Sequence, residues 1–236
     1  MYRILSATAV VLGLVLTPAV SGQKIADDTK KQDLSARTPD CVYVGTPYDV
    51  IDRMLEMASI RKGDLVYDLG CGDGRIVVAA ARRFGCRGVG YDISPQRVEE
   101  SLENVQKNRV DRLVTIEQQD IFQLDLRQAN VIMLYLLPEM NLRLLPKLKQ
   151  LKPGTRIVAH DYGIEGIRPD RSVKMTSLED GVRHYVYLFT TPLKKEDQWS
   201  PGASRAGQTP VHWPVKPPSP AASRPPSPGK RERGRG

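Results

Sequence analysis

Between residues 41 and 190 short apolar runs alternate with longer stretches in which apolar residues recur every three or four positions. The first pattern predicts strands and the second amphipathic helices. "TPYDVIDRMLEMA" predicts a helix with Thr46 as N-cap and Pro47 at its first position, and with Val50, Ile51, Met54, Leu55 and Ala58 on the apolar face. "DLVYDL" predicts a strand, "GRIVVAAARRFG" a helix stopped by Gly85, and "RGVGYD" a second strand. "SPQRVEESLENVQKN" predicts a helix capped by Ser94, with Val98, Leu102 and Val105 turned inward. "LVTIEQ" and "VIMLYLL" follow as strands, the latter apolar throughout, as a strand covered on both faces should be. "EMNLRLLPKLKQL" predicts a helix that Pro146 kinks or interrupts, and "TRIVAHD" a fifth strand. "VKMTS" and "GVRHYVYLFT" end the series with no helix between them. The expected fold is α/β: a Rossmann-like, doubly wound, mostly parallel seven-stranded sheet with an antiparallel hairpin at one edge.

Composition divides the chain around that domain. "MYRILSATAVVLGLVLTPAVSG", residues 1–22, has an early arginine, an apolar stretch from Ile4 to Leu16 and small residues near its end. This is the layout of a signal peptide or a membrane anchor. Residues 23–40 are polar and predict a linker. Residues 41–193 carry the strand and helix pattern, and residues 194–236 predict a disordered Pro/Ser/Arg-rich basic tail. The formal net charge is +8, but the chain after Gln198 holds seven Lys/Arg against one Glu. The basicity therefore belongs to the tail, and no nucleic-acid-binding surface is expected on the folded part. Cys41, Cys71 and Cys86 are odd in number and lack metal-ligand spacing, so neither a disulfide framework nor a metal is expected.

The candidate chemistry lies in "VYDLGCGDGRIVV", a glycine loop between a strand and a helix. It departs from the dinucleotide fingerprint G-x-G-x-x-G, because the third position holds Arg75 and the last glycine comes early at Gly74. There is also no G-K-[ST] of a phosphate loop. Asp68 precedes the loop, Asp73 lies in it and Asp92 closes the next strand. Carboxylates so placed oppose a pyrophosphate and favour a cofactor that carries positive charge.

"YDLGCGDGR", "GYDIS" and "EQQDIF", in that order, resemble the first three motifs of the class I S-adenosylmethionine (SAM)-dependent methyltransferases. "TPYDVIDRML", "LYLLPEMN" and "HDY" resemble more narrowly a branch with membrane-associated protein-lysine methyltransferases of the ATP-synthase c-subunit type. The resemblance implies that Gly70, Gly72 and Gly74 let the backbone approach the methionine half of SAM. It implies that Asp68 faces the ammonium, Asp92 the ribose hydroxyls, and Asp120 with the N–H of Ile121 the adenine. Thr46 and the helix after it would form a lid. Asp68 as a helix cap and Asp120 as a turn residue are the plainer alternatives.

"LYLLPE" stands where many amino-methylating relatives carry Asn/Asp-Pro-Pro-Tyr/Phe, which counts against methylation of a planar amide or adenine nitrogen. Tyr135, His160 and Asp161 are the candidate catalytic residues: Tyr135 to line an acceptor channel, His160 or Asp161 to relay a proton or contact the acceptor. The expected reaction is methyl transfer from SAM to an amine, foremost a protein lysine. A small-molecule or lipid acceptor stays open, as does a SAM-binding interaction module without catalysis. Lys24, Lys30, Lys31 and Arg37 follow the apolar segment, a bias that holds the downstream part in the cytoplasm, where SAM is made. The expectation is a membrane-associated or exported chain with its catalytic domain facing the cytoplasm; oligomeric state is not legible.

Overall fold

The computed structural model describes residues 43–196. The segments read as signal or anchor (1–22), linker (23–40) and nearly all of the basic tail lie outside the described residues. Among the described residues no helix is long and apolar enough to cross a membrane.

Seven strands form one sheet: β1 (Leu65–Leu69), β2 (Arg87–Asp92), β3 (Val114–Gln118), β4 (Val131–Leu134), β5 (Arg156–His160), β6 (Arg171–Thr176) and β7 (Arg183–Thr190). Their order is β3-β2-β1-β4-β5-β7-β6. The first five pair in parallel, and β7 lies antiparallel between β5 and β6. The expected doubly wound sheet with its antiparallel edge hairpin is therefore the fold. The order reverses at β1, flanked by β2 and β4, and such a switch point opens a crevice at the carboxyl ends of the strands.

Among the described residues four helices cover the sheet: α1 (Tyr48–Ala58), α2 (Arg75–Phe84), α3 (Pro95–Lys107) and α4 (Pro138–Leu148). Alternation along the strands feeds a core on each face. Val66, Met133, Val158 and Val186 meet α1 and α2 on one face, while Tyr67, Leu69, Ile132, Leu134 and Ile157 meet Leu144 and Leu148 of α4 on the other. β4 is buried along its whole length, as its unbroken apolar run requires. Pro146 falls in the last turn of α4, which ends two residues later.

Two details differ from the sequence reading. Thr46 does not cap α1; Pro47 holds the N-cap position, without a side-chain cap bond. The exposed N–H of Tyr48 instead donates to Glu179 Oε1 at 2.7 Å, and the Asp49 carboxylate accepts from Ser177 Oγ at 2.9 Å and Leu178 N at 2.7 Å. The connection between β6 and β7 thus supplies what a local cap would. In α3 the inward position belongs to Ser101, fully buried, while Leu102 is 43% exposed. The reason is the glycine loop beneath: a Cβ on Gly74 would meet Ser101 Oγ at 2.9 Å, so only a small side chain fits, and the Ser101 hydroxyl donates to Gly72 O at 2.7 Å.

Candidate active site

The crevice at the switch point is a cavity of about 410 Å³, a size that suits a nucleoside-containing ligand. Its walls come from the ends of four strands. Asp68 and Gly70 follow from β1, Asp92 from β2, Asp120 and Ile121 from the loop after β3, and Tyr135 and Leu136 from the end of β4. Thr46 closes one side. Of the residues singled out in the sequence, Thr46, Asp68, Gly70, Asp92, Asp120, Ile121 and Tyr135 line the cavity. Gly72 and Gly74 form the floor of the loop, and His160 and Asp161 lie behind Tyr135 rather than on the wall.

Asp92 is preset. Its Oδ2 accepts from Gly72 N and its Oδ1 from Ser94 N, both at 2.9 Å. The carboxylate is thereby fixed at the end of β2 with lone pairs to spare for a diol. Gly72 takes φ 57°, and a Cβ there would lie 2.0 Å from the Tyr43 ring, so backbone and space both favour glycine.

Asp68 is buried, and its Oδ2 has no hydrogen-bond partner among the described residues. Burial pushes its carboxyl up to about 7; the N–H of Val77 in the first turn of α2 opposes this, and the nearby charges of Asp92 and Asp73 add to it. A buried carboxylate oxygen without a partner, on a residue that lines such a cavity, is costly unless a cationic or donor-bearing ligand reaches it. The contact with Val77 N–H fits the helix-cap alternative, and the second oxygen is left without a partner among the described residues.

Asp73 corrects the electrostatic reading. Its carboxylate is matched by the Arg75 guanidinium through Nε to Oδ1 at 2.9 Å and Nη2 to Oδ2 at 2.7 Å. Arg75 Nη1 also donates to Thr46 O at 3.1 Å. Asp73 is thus spent on tying the loop to the segment before α1, so its charge is largely matched within the loop. Asp120 Oδ1 accepts from Phe122 N at 3.0 Å, which shapes the turn that brings Ile121 to the cavity. This fits the turn role weighed for Asp120.

At the far end Tyr135 donates its hydroxyl to Asp161 Oδ2 at 3.5 Å, and its ring lies 3.9 Å from that of His160. His160 is fully buried, its Nδ1 3.2 Å from Thr46 Oγ1 and its Nε2 2.9 Å from His184 Nδ1. Burial, only partly offset by Asp161, pushes its imidazole down to about 4, so it is neutral near pH 7. Asp161 takes φ 55°, a left-handed backbone that costs a non-glycine residue about 1 kcal/mol or more. Two bonds hold it there: its own N–H donates to Tyr185 O at 2.7 Å, and Tyr185 N donates to its Oδ1 at 2.9 Å.

Sequence reasoning misses three contributors. Tyr43 lies over the glycine loop, with the Arg97 guanidinium 4.7 Å from its ring centre, and Arg75 clamps the loop. His184 completes the cluster behind Tyr135. The alternation of β7 is a usable signal, since His184 is in phase with buried Val186.

A seven-stranded sheet of this order, with a preset Asp92 at the end of β2, a glycine cradle and an orphaned buried Asp68, defines a class I SAM-dependent methyltransferase. The chain belongs to the family of the ANTKMT methyltransferase domain, which matches residues 68–171. It is 44% identical over 154 residues to a protein-lysine N-methyltransferase of Saccharolobus islandicus, covering 64% of this chain and 94% of the relative. The human lysine N-methyltransferase of the ATP-synthase c-subunit is 31% identical over 121 residues, with 51% of each chain covered. Among solved structures, an RNA methyltransferase from Salinibacter ruber in complex with S-adenosyl-L-homocysteine is similar at TM-score 0.59 and 45% identity, over 63% of this chain and 94% of the other. The cofactor is SAM.

Proposed function

We propose that the methyl acceptor is the side-chain amine of a protein lysine. The observation that carries this reading is the 44% identity to the archaeal protein-lysine enzyme over nearly all of that enzyme's length. The acceptor end of the cavity supports it. Tyr135 uses its proton on Asp161, so its oxygen keeps lone pairs that can accept from an incoming N–H. Leu136 beside it gives an apolar wall, which suits an alkyl-amine stem. Asp92 would hold the ribose and Asp68 the ammonium, with Ile121 against the adenine. SAM supplies an electrophilic sulfonium methyl group, and the protein's main contribution is to hold the acceptor in line with it.

RNA is the second reading, favoured by the name of the Salinibacter relative. Incubation with radiolabelled SAM and a cell extract separates the two. Label that resists nuclease, yields to protease and is recovered as methyl-lysine is the expected result. Label released by ribonuclease would overturn the lysine reading.

We also propose that residues 1–22 attach the chain to a membrane with the catalytic domain on the side where SAM is made. The four basic residues between Lys24 and Arg37, which outnumber the single Arg3 ahead of the apolar stretch, support this. A topology reporter fused after Thr191 should be active on the cytoplasmic side alone; activity only on the exported side would contradict it.

A further inference from the structure

Behind Tyr135, three donor atoms from three places in the sequence converge. His160 Nε2 at the end of β5 lies 2.9 Å from His184 Nδ1 at the start of β7. Asp161 Oδ2 lies 3.1 Å from His184 Nδ1 and 3.4 Å from His160 Nε2. The chain has only three histidines, and two of them meet here. Ligand atoms about 2.0–2.2 Å from one tetrahedral ion stand roughly 3.3 Å apart, close to the edges of this triangle. The imidazole centres, 4.9 Å apart, also have the spacing of two rings sharing an ion.

The outer nitrogens are served as well. His184 Nε2 is 3.2 Å from Asp180 Oδ2, and His160 Nδ1 is 3.2 Å from Thr46 Oγ1. With a proton on each outer nitrogen, donated to those oxygens, both inner nitrogens present lone pairs to the same point. Outer hydrogen bonds of this kind fix the tautomer of metal-ligating histidines. A single proton at the junction satisfies at most two of its three edges, whereas one cation satisfies all three.

We propose that His160, His184 and Asp161 bind a divalent transition-metal ion of the zinc class. Two imidazoles and a carboxylate suit zinc, cobalt or nickel better than magnesium or calcium, which prefer all-oxygen sites. The ion ties β5 to β7 directly behind the acceptor wall, and through Asp161 it fixes the Tyr135 hydroxyl. The backbone bonds that hold Asp161 in its left-handed conformation keep Oδ2 at the junction. The site is independent of which molecule accepts the methyl group.

The test uses the untagged full chain, stripped of metal and titrated with Co²⁺ and then Zn²⁺. The expected result is one Co²⁺ per chain with the visible absorption of a four-coordinate ion, displaced by one Zn²⁺. His184→Ala and Asp161→Asn should abolish the absorption while S-adenosyl-L-homocysteine still binds, which shows that the fold is intact. Asp180→Asn alters the partly exposed outer contact, keeps an amide oxygen for Val182 N, and should weaken zinc affinity tenfold or more. Absence of stoichiometric uptake by the unaltered chain would overturn the proposal. So would uptake that survives His184→Ala, or a zinc affinity unchanged in Asp180→Asn.

Discussion

At the carboxyl ends of β1 and β2, backbone N–H groups hold carboxylates within a short stretch of chain: Asp92 is fixed by Gly72 and Ser94, 20 and 2 residues away. At the ends of β4 and β5, side chains hold one another, and one of the contacts spans most of the domain. Thr46 reaches His160 over 114 positions, and His160 reaches His184 over 24. The first region is local and rests mainly on backbone, so it is nearly complete once β1, the loop and β2 have formed. The second exists only after β5, β7 and the segment before α1 are assembled. If the first region binds the methyl donor and the second handles the acceptor, as proposed, substitutions should divide along the same line.

The largest expected effect is at the first region. Asp92→Ala removes two charge-assisted hydrogen bonds to a ribose, each about 1.5–3 kcal/mol, so affinity for SAM should fall tens-fold or more by calorimetry. Unchanged affinity would mean that the ribose is held elsewhere. The next effect is one of pH. Asp68 protonates near pH 7 in the free protein, and a ligand ammonium favours its carboxylate. Affinity for S-adenosyl-L-homocysteine should therefore weaken several-fold as pH falls from 8 to 6, and Asp68→Asn should flatten that dependence. A profile equally steep in the variant would remove Asp68 from the account.

At the second region Tyr135→Phe should lower kcat about 3- to 10-fold, the worth of one neutral hydrogen bond, and leave cofactor affinity as it was. The smallest effect separates neighbours on α3. Ser101→Ala strips a buried partner from Gly72 O and should cost about 1–2 kcal/mol in chemical denaturation. Leu102→Ser, on the exposed side, should stay within about 0.5 kcal/mol. A reversal would restore the inward Leu102 of the periodicity reading.

The same division explains what is legible in the sequence. Strand and helix order, the switch point, the glycine loop and Asp92 follow from periodicity and from a motif whose parts lie close together. The pairing of Asp73 with Arg75 escapes a reading of charge signs without their partners. Thr46 looks like a helix cap because its nearest neighbours allow it, whereas its hydroxyl is committed to His160 on a strand more than a hundred residues away. His184 is legible only as part of a strand. Its role depends on β7 lying beside β5, with His160 opposite Val186, a register that no local pattern specifies.

The division itself is tested most directly by titrating S-adenosyl-L-homocysteine into the unaltered chain, Asp92→Ala and Tyr135→Phe under one set of conditions. The account predicts equal affinity for the unaltered chain and Tyr135→Phe, and a loss of tens-fold or more for Asp92→Ala. Equal losses in the two variants, or a loss confined to Tyr135→Phe, would contradict it.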